Sequence, residues 1–170
     1  TFVNGLRSIM RQDPDMILIG EIRDKETAEI AIQAALTGHL VFSTVHANEA
    51  AGAIPRLVDL GVKPTSIGPA LNLIIAQRLV KRLCEKCKVK DKIDSAFKLK
   101  LEKFIKNLPE RVDKNEHKEI EIYKPKGCSY CGNTGFKGRV GIYELLRISK
   151  EIEGLMMKGA GEIEIHEFAL

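Results

Sequence analysis

The sequence predicts an α/β fold with a parallel sheet, followed by a small zinc-binding module with a helical arm and by C-terminal helices. Two short apolar runs separated by a helical pattern predict the sheet, and two Cys-x-x-Cys pairs predict the module. With 170 residues, of which 44% are hydrophobic, the chain is long enough for one core and a small satellite module.

The sheet prediction depends on a strand–helix–strand pattern near the N-terminus. The apolar run Met16–Gly20 predicts a strand buried on both faces, as is typical of parallel sheets. Asp24 can cap a helix over Lys25–Thr37, and Gly38 marks its end. A second apolar run, Leu40–Val45, predicts the next strand. Such a unit closes with a right-handed crossover, which indicates a layered α/β domain.

The remaining elements follow from periodicity and from breaker residues. In chain order, we expect a helix from Asn48 to just before Gly61, a helix over Pro69–Leu83, a helical arm over Asp91–Leu108, a half-exposed strand over Glu119–Tyr123, and a strand over Arg139–Leu146 that leads into the last helices.

Charge and hydropathy exclude some classes of protein. The net charge of +4 and pI of 8.8 lie below the range, above about 9, that usually marks a nucleic-acid-binding domain. No apolar stretch approaches the roughly 20 residues of a membrane span, and no signal peptide is present, so we expect a cytoplasmic protein whose chain begins inside a larger one. Much of the basic charge surrounds the first cysteine pair and indicates a solvated or a phosphate-facing surface: Arg78, Lys81, Arg82, Lys86, Lys88, Lys90 and Lys92.

Two polar residues follow the predicted parallel strands directly. Glu21 and His46 should lie at the carboxyl ends of the strands, where ligands bind in open sheets of this kind. A carboxylate there can hold Mg²⁺ or position water, and an imidazole can donate to a terminal phosphate. An alternative for Glu21 is pairing with Arg23 or with the helix dipole. His39 lies at the opposite end of its strand, where a structural role near a helix C-terminus is favoured.

At these residues the chain resembles a known family. The segment Leu6–Asp24, LRSIMRQDPDMILIGEIRD, closely resembles the signature of the type II secretion protein E and type IV pilus ATPases, and Gly38–Asn48 resembles the His box of that family. The resemblance implies a RecA-like motor domain in which Glu21 belongs to an atypical Walker B element with a Mg²⁺ or catalytic role. It also implies that His46 faces the γ-phosphate of ATP, and we place Arg23 on the same nucleotide-binding side.

The resemblance also implies a division of the chain. We expect residues 1–83 to be the C-terminal part of a RecA-like ATPase domain, residues 84–138 to be the zinc-binding module with its arm, and residues 139–170 to be a return strand with truncated C-terminal helices. The phosphate-binding motif Gly-x-x-x-x-Gly-Lys-[Ser/Thr] is absent from the sequence, so we expect it upstream. Arg7 and Arg11 match signature arginines of the family, and phosphate-side or interface contacts and simple surface salt bridges both remain open for them.

All four cysteines of the chain fall in two pairs, Cys84-x-x-Cys87 and Cys128-x-x-Cys131. Two such pairs can complete a tetrahedral set of thiolates around zinc, and cytosolic pairs of this kind are more often metal sites than disulfides. The resemblance agrees, since protein E and the pilus-extension ATPases carry a tetracysteine module at this place.

Two functions from different classes could account for these motifs. The first is a homohexameric motor ATPase that uses Mg-ATP to drive pseudopilus or pilus assembly at the inner membrane, together with membrane-platform and cytoplasmic-domain proteins; this chain alone should be inactive. The second is a zinc-ribbon module that binds nucleic acid. The second leaves Glu21 and His46 unexplained and has only six Phe, three Tyr and no Trp for stacking, so we expect no nucleic acid partner.

Overall fold

The computed structural model describes residues 2–117 and 120–169. Its α-helices are α1 Phe2–Met10, α2 Lys25–Leu36, α3 Ala53–Asp59, α4 Pro64–Ala70, α5 Ser95–Lys106, α6 Lys150–Met157 and α7 Glu162–Ala169. Its strands are β1 Met16–Ile19, β2 Leu40–Ser43, β3 Leu73–Leu83, β4 Val89–Lys90, β5 Tyr123–Lys124 and β6 Phe136–Arg147. Among these residues the longest helices have 12 residues, too few to cross a bilayer.

The strand–helix–strand unit predicted near the N-terminus is present. Strands β1 and β2 pair in parallel, from Met16 opposite Leu40 to Ile19 opposite Ser43, and α2 connects them. Asp24 caps α2 by accepting a hydrogen bond of 2.8 Å from the backbone N–H of Thr27. The prediction of an α/β unit with a parallel pair of strands is therefore confirmed.

The expectation that the first strand is buried on both faces is wrong for the described residues. Ile17 and Ile19 are buried, but the exposed fractions of Met16 and Leu18 are 61% and 81%. One face of β1 joins the core formed with the neighbouring helices, whereas nothing in the described chain covers the other. The apolar run is continuous because its side chains suit a strand with a packed layer on each face. The described residues supply such a layer on one face.

The prediction of a helix over Pro69–Leu83 is also wrong. Helix α4 ends at Ala70, and the chain then forms the long strand β3, which pairs with β6. The pairing gives the backbone of β3 a partner that lies about 60 residues further along the chain, and β-branched residues such as Ile74, Ile75 and Val80 suit a strand. The strand expected over Arg139–Leu146 is confirmed as β6, which is longer at both ends.

Smaller departures concern where elements begin. Helix α3 starts at Ala53 and not at Asn48, and the arm contains one helix, α5, whose cap is Asp94. None of the residues of α5 is buried. Strand β5 begins only at Tyr123 and pairs antiparallel with β4, and Ile120–Ile122 is not strand. Glu119, the first residue of the expected strand, lies outside the described residues.

The chain divides into two compact units. One comprises Thr1–Gln77 and Tyr143–Leu170, and the other comprises Arg78–Ile142. The first unit contains the β1–β2 sheet and the main apolar core, to which α6 and α7 contribute Ile152, Met156 and Ile165. The second contains α5, the β4–β5 pair and the four cysteines, three of which are buried together.

Candidate functional site

Glu21 and His46 meet at the carboxyl ends of β1 and β2. The imidazole Nε2 of His46 lies 3.3 Å from Oε2 of Glu21. The backbone beneath them is joined across the two strand ends: Thr44 Oγ1 donates to the carbonyl of Gly20 at 2.7 Å, and Ile22 N–H donates to the carbonyl of Thr44 at 2.9 Å. Two residues that are 25 positions apart in sequence thus lie in contact, as expected from their places at the strand ends.

Arg23 contacts the same carboxylate. Its Nε donates to Oε2 of Glu21 at 2.5 Å. The hydrogen bond from Arg23, aided by the charge of Arg23 and by His46, lowers the pKa of Glu21 despite its partial burial. The carboxylate thus stays ionised well below neutral pH. The pairing of Glu21 with Arg23, considered above as an alternative, is compatible with a site, because the imidazole of His46 remains 80% exposed and accessible to a ligand.

His39 occupies the other end of β2, as expected. Its Nδ1 lies 3.1 Å from the carbonyl oxygen of Ala34 and 3.2 Å from Oγ1 of Thr37, both at the C-terminal end of α2. The ring nitrogen Nδ1 therefore has hydrogen-bond partners at the end of the neighbouring helix, as a structural role of His39 requires.

The two arginines of the family signature lie in different backbone environments. Arg7 is in α1, and its Nη2 lies 3.8 Å from Oε1 of Glu26 on α2, with both side chains more than half exposed. Arg11 directly follows Met10, the last residue of α1, and its backbone N–H donates to the carbonyl of Ser8 at 3.2 Å. The contact made by Arg7 is the surface salt bridge considered above, worth less than about 1 kcal/mol.

The four cysteines converge in the second unit. Their Sγ atoms all lie within 4.8 Å of one another, and three of the separations are 3.9 Å for Cys84–Cys128, 3.8 Å for Cys87–Cys131 and 3.8 Å for Cys128–Cys131. In a tetrahedral site with Zn–S bonds of about 2.3 Å, neighbouring sulfurs lie about 3.8 Å apart. The residues therefore fit a four-thiolate zinc ion in number, chemistry and spacing.

The backbone around the cysteines favours thiolate at Cys131. Its Sγ accepts hydrogen bonds from the backbone N–H of Cys128 at 3.3 Å and of Gly135 at 3.2 Å. Burial opposes ionisation, but these donors and the neighbouring thiols outweigh it and lower the pKa of Cys131 to about 6. At Cys87 burial dominates and raises the pKa to about 11. Gly127 has a positive φ of 98°, and a Cβ there would lie 2.8 Å from the carbonyl oxygen of Asn133, so the turn requires glycine.

One contact of the loop that carries His46 was not predicted from the sequence. The backbone N–H of Ala50 donates to Oε2 of Glu144, on β6, at 3.1 Å. The two residues are 94 positions apart, and periodicity reports only on near neighbours. The available signal was a single carboxylate inside the otherwise apolar strand sequence Val140–Leu146.

Known proteins with similar sequences identify the family of this chain. Residues 1–169 match the family model described as Type II/IV secretion system protein. The chain is 47% identical over 169 residues to the type IV pilus assembly ATPase PilB of Thermus thermophilus, covering 99% of this chain and 18% of that protein. It is 43% identical over 169 residues to type II secretion system protein E of Klebsiella pneumoniae, covering 97% and 31%. The chain thus spans between about a fifth and a third of these relatives.

Solved structures agree with the sequence relatives. The crystal structure of the pilus retraction motor PilT with bound ADP matches with a TM-score of 0.59 and 28% identity, covering 94% of this chain and 33% of that one. The ATPase DotB of Legionella pneumophila matches with a TM-score of 0.55, 24% identity and coverage of 98% and 32%, and supports the fold alone. The two relatives named above are ATPases. Because the family model matches nearly the whole length of this chain, the chain belongs to the type II/IV secretion system protein family.

Proposed function

We propose that this chain is the C-terminal part of a motor ATPase and that Glu21 and His46 act on the phosphates of Mg-ATP. The observation that carries the proposal is the 3.3 Å contact between these two side chains at the carboxyl ends of parallel strands. Ligands bind at such strand ends, and an ionised carboxylate beside an imidazole is suited to phosphate chemistry. The relatives named as ATPases, and the similarity to a motor solved with ADP, support the same activity here.

Each side chain has a separate role in this proposal. Glu21 orients the attacking water or a hydrated Mg²⁺, which supplies a Lewis acid when bound. Arg23 keeps Glu21 ionised through the hydrogen bond that lowers the pKa of that carboxyl. His46, exposed beside it, donates to the terminal phosphate, where negative charge develops during hydrolysis.

The phosphate-binding loop must come from another part of the full-length protein. A cavity of about 470 Å³ in the first unit is lined by every residue of Leu40–Val45 and, among others, by Leu71–Ala76. Residues from both faces of β2 line this cavity. The cavity therefore lies along one edge of β2, and β1 pairs with the other edge. In the described chain β2 pairs with β1 alone, and the N–H and C=O groups along its other edge can pair with a further strand. We propose that a further strand of the motor domain fills this cavity and delivers its phosphate-binding loop beside His46.

The remaining features are assigned on the same basis. Cys84, Cys87, Cys128 and Cys131 hold a structural zinc ion. The full-length protein forms a homohexamer in the cytoplasm, peripheral to the inner membrane, and couples hydrolysis to pseudopilus or pilus assembly with platform and cytoplasmic-domain proteins of that machine. The names of the relatives, which cover both type II secretion and type IV pilus assembly, support this range.

Hydrolysis of Mg-ATP by the full-length protein and its Glu21→Gln variant tests the proposal. We expect the variant to lose most of its turnover but to keep ATP affinity, because the amide keeps the shape of the side chain and loses its charge. Glu29→Gln, a surface carboxylate of α2, is the matched control and should be unchanged. This chain alone should hydrolyse no ATP and bind it only weakly. Micromolar affinity of this chain for Mg-ATP would contradict the assignment of the missing loop.

A second candidate function, a zinc-ribbon module that binds nucleic acid, is favoured by one observation. Lysines lie against aromatic rings near the cysteines, with Lys86 Nζ 4.1 Å and Lys137 Nζ 5.0 Å from the ring centre of Tyr130. A gel-shift titration with generic DNA distinguishes the two functions, because phosphate binding weakens steeply with salt. We expect no shift, and a salt-dependent shift at low micromolar protein would favour the alternative.

A further inference from the structure

Glu144 connects the last third of the chain to the loop that carries His46. We call residues 44–51 the His46 loop. Near its C-terminal end, the backbone N–H of Ala50 donates to Oε2 of Glu144 at 3.1 Å. Ala50 is fully buried, so its N–H has no access to water and requires a partner within the protein. Glu144 supplies that partner from β6.

The other carboxylate oxygen of Glu144 faces the C-terminal helix. Oε1 lies 3.9 Å from Nδ1 of His166 on α7, and the same imidazole nitrogen lies 3.7 Å from Oε2 of Glu49, inside the His46 loop. Ile165, next to His166, is fully buried and anchors α7 in the core of the first unit. The carboxylate of Glu144 is therefore placed between a fixed helix and the loop.

The His46 loop is hydrogen-bonded to neighbouring elements at both of its ends. At its start, Thr44 is bonded to Gly20 and Ile22 at the end of β1. At its end, Ala50 is bonded to Glu144. Between these points the side chain of His46 is 80% exposed, and its imidazole contacts Glu21. The position of the imidazole therefore depends on these contacts of its loop.

We propose that Glu144 is a positioning residue for hydrolysis, which holds the His46 loop so that the imidazole reaches the terminal phosphate. The inference rests on the proposed function of His46. It identifies a residue whose effect on turnover passes through His46, while Glu144 itself touches neither nucleotide nor metal. A shift of about 1 Å in a reacting group can reduce rates up to about a hundredfold, so one lost anchor is enough for a measurable effect.

Steady-state hydrolysis by two full-length variants tests the proposal. Glu144→Met keeps the length of the side chain but cannot accept the bond from Ala50, and we expect kcat to fall about tenfold, equivalent to about 1.4 kcal/mol, with KM for ATP changed less than about twofold. Glu144→Gln keeps an accepting oxygen and should retain at least about half of kcat. Glu167→Gln, on the exposed side of α7, is the control. Equal loss in the Met and Gln variants, or loss of fold in Glu144→Met by circular dichroism, would overturn the proposal.

A double-mutant cycle separates positioning from general damage. In a His46→Ala background, Glu144→Met should lower kcat by less than about twofold, because the group it positions is gone. Additive losses would show that Glu144 acts elsewhere. If the wild-type protein hydrolyses no ATP, or His46→Ala is fully active, the proposed function fails; if His46→Ala is slow and Glu144→Met is fully active, only the present inference fails.

Amide hydrogen exchange provides a readout that does not depend on activity. In full-length protein, peptides covering residues 44–51 should exchange faster in Glu144→Met than in wild type, because the bond to Ala50 N–H is lost. Peptides from α2 should be unchanged in both variants, and Glu144→Gln should match wild type. Unchanged protection of the loop in Glu144→Met would contradict the anchoring role.

Discussion

Arg23 and His46 share one oxygen of Glu21. The guanidinium Nε and the imidazole Nε2 lie 2.5 Å and 3.3 Å from the same Oε2. The residue expected on the nucleotide-binding side therefore contacts the carboxylate that is expected to act on the nucleotide. A role in nucleotide binding and a role in keeping Glu21 ionised predict different kinetics for changes at Arg23.

Arg23→Gln should move the acid limb of the pH–rate profile of the full-length protein to higher pH. The hydrogen bond from Arg23 is the largest cause of the lowered pKa of Glu21, so removing it raises that pKa. As pH falls, Glu21 then becomes protonated earlier and turnover is lost earlier. We expect KM for ATP at neutral pH to change little. Arg56→Gln, an exposed arginine on α3, should match wild type, and a raised KM with an unmoved acid limb would instead assign Arg23 to the nucleotide.

Changes at His39 and His46, which lie on either side of β2, should differ in effect. In the full-length protein, His46→Ala should slow turnover by about tenfold to a thousandfold, the range for a lost hydrogen bond to developing phosphate charge. His39→Ala should affect stability more than chemistry, because its ring is bonded to Ala34 and Thr37 at the far end of the strand. Turnover and circular dichroism on both variants check this. A folded His39→Ala protein as slow as His46→Ala would contradict the assignment of the site to one strand end.

The second unit should bind close to one zinc ion per chain. Metal analysis after purification without chelator measures the stoichiometry. Changing Cys128 and Cys131 to serine together should release the metal and unfold the second unit, since structural zinc contributes on the order of 10 kcal/mol to small domains of this kind. The first unit, which has its own core, should stay folded. Ser129→Ala, between the same two cysteines, should keep the metal; a metal-free wild-type chain under reducing conditions would refute the site.

Stability should fall with rising pH because of Glu162 on α7. Burial, followed by the bond to Glu49 and the charge of that residue, raises the pKa of Glu162, and the charge of His166 opposes the rise. The folded state then binds a proton more tightly than the unfolded state, so stability is lost as pH rises from the ordinary glutamate range through the raised pKa. Glu162→Gln should therefore raise Tm relative to wild type increasingly as pH rises above 4.5, the ordinary pKa of a glutamate.

Thermal unfolding of this chain at several pH values measures that difference. Glu164→Gln, one position from the buried Ile165 and exposed, is the matched control and should show no such trend. A Tm difference between Glu162→Gln and wild type that stays constant with pH would contradict the raised pKa of Glu162.

The parts of the fold predicted from sequence are those specified by local patterns. The parallel pair of strands, the cap at Asp24 and the cysteine module each follow from residues within about 30 positions or from an exact spacing. Strand β3 was predicted as helix because its apolar residues satisfy both periods. What decides in favour of a strand is pairing with β6, and that interaction involves a segment about 60 residues away.

The same distinction applies to the candidate site. The convergence of Glu21 and His46 could be predicted because parallel strands place their carboxyl ends at one edge. The bond between Glu144 and Ala50 could not, because it requires the path of the chain through the second unit and back to be known. The sequence therefore predicts that Glu21 and His46 lie close together, and it does not predict the contact of Glu144 with the loop that carries His46.

The uncovered face of β1 has a consequence for how this chain behaves during production. Met16, Leu18, Leu40 and Phe42 expose apolar surface beside a free strand edge, a combination that promotes association between copies. We expect the isolated chain to aggregate as its concentration rises, and to gain soluble yield when it is co-expressed with a segment that supplies the further strand proposed above. Where such a segment precedes this chain, the ribosome makes it first. The apolar face of β1 would then emerge when a segment that can cover it has already been made.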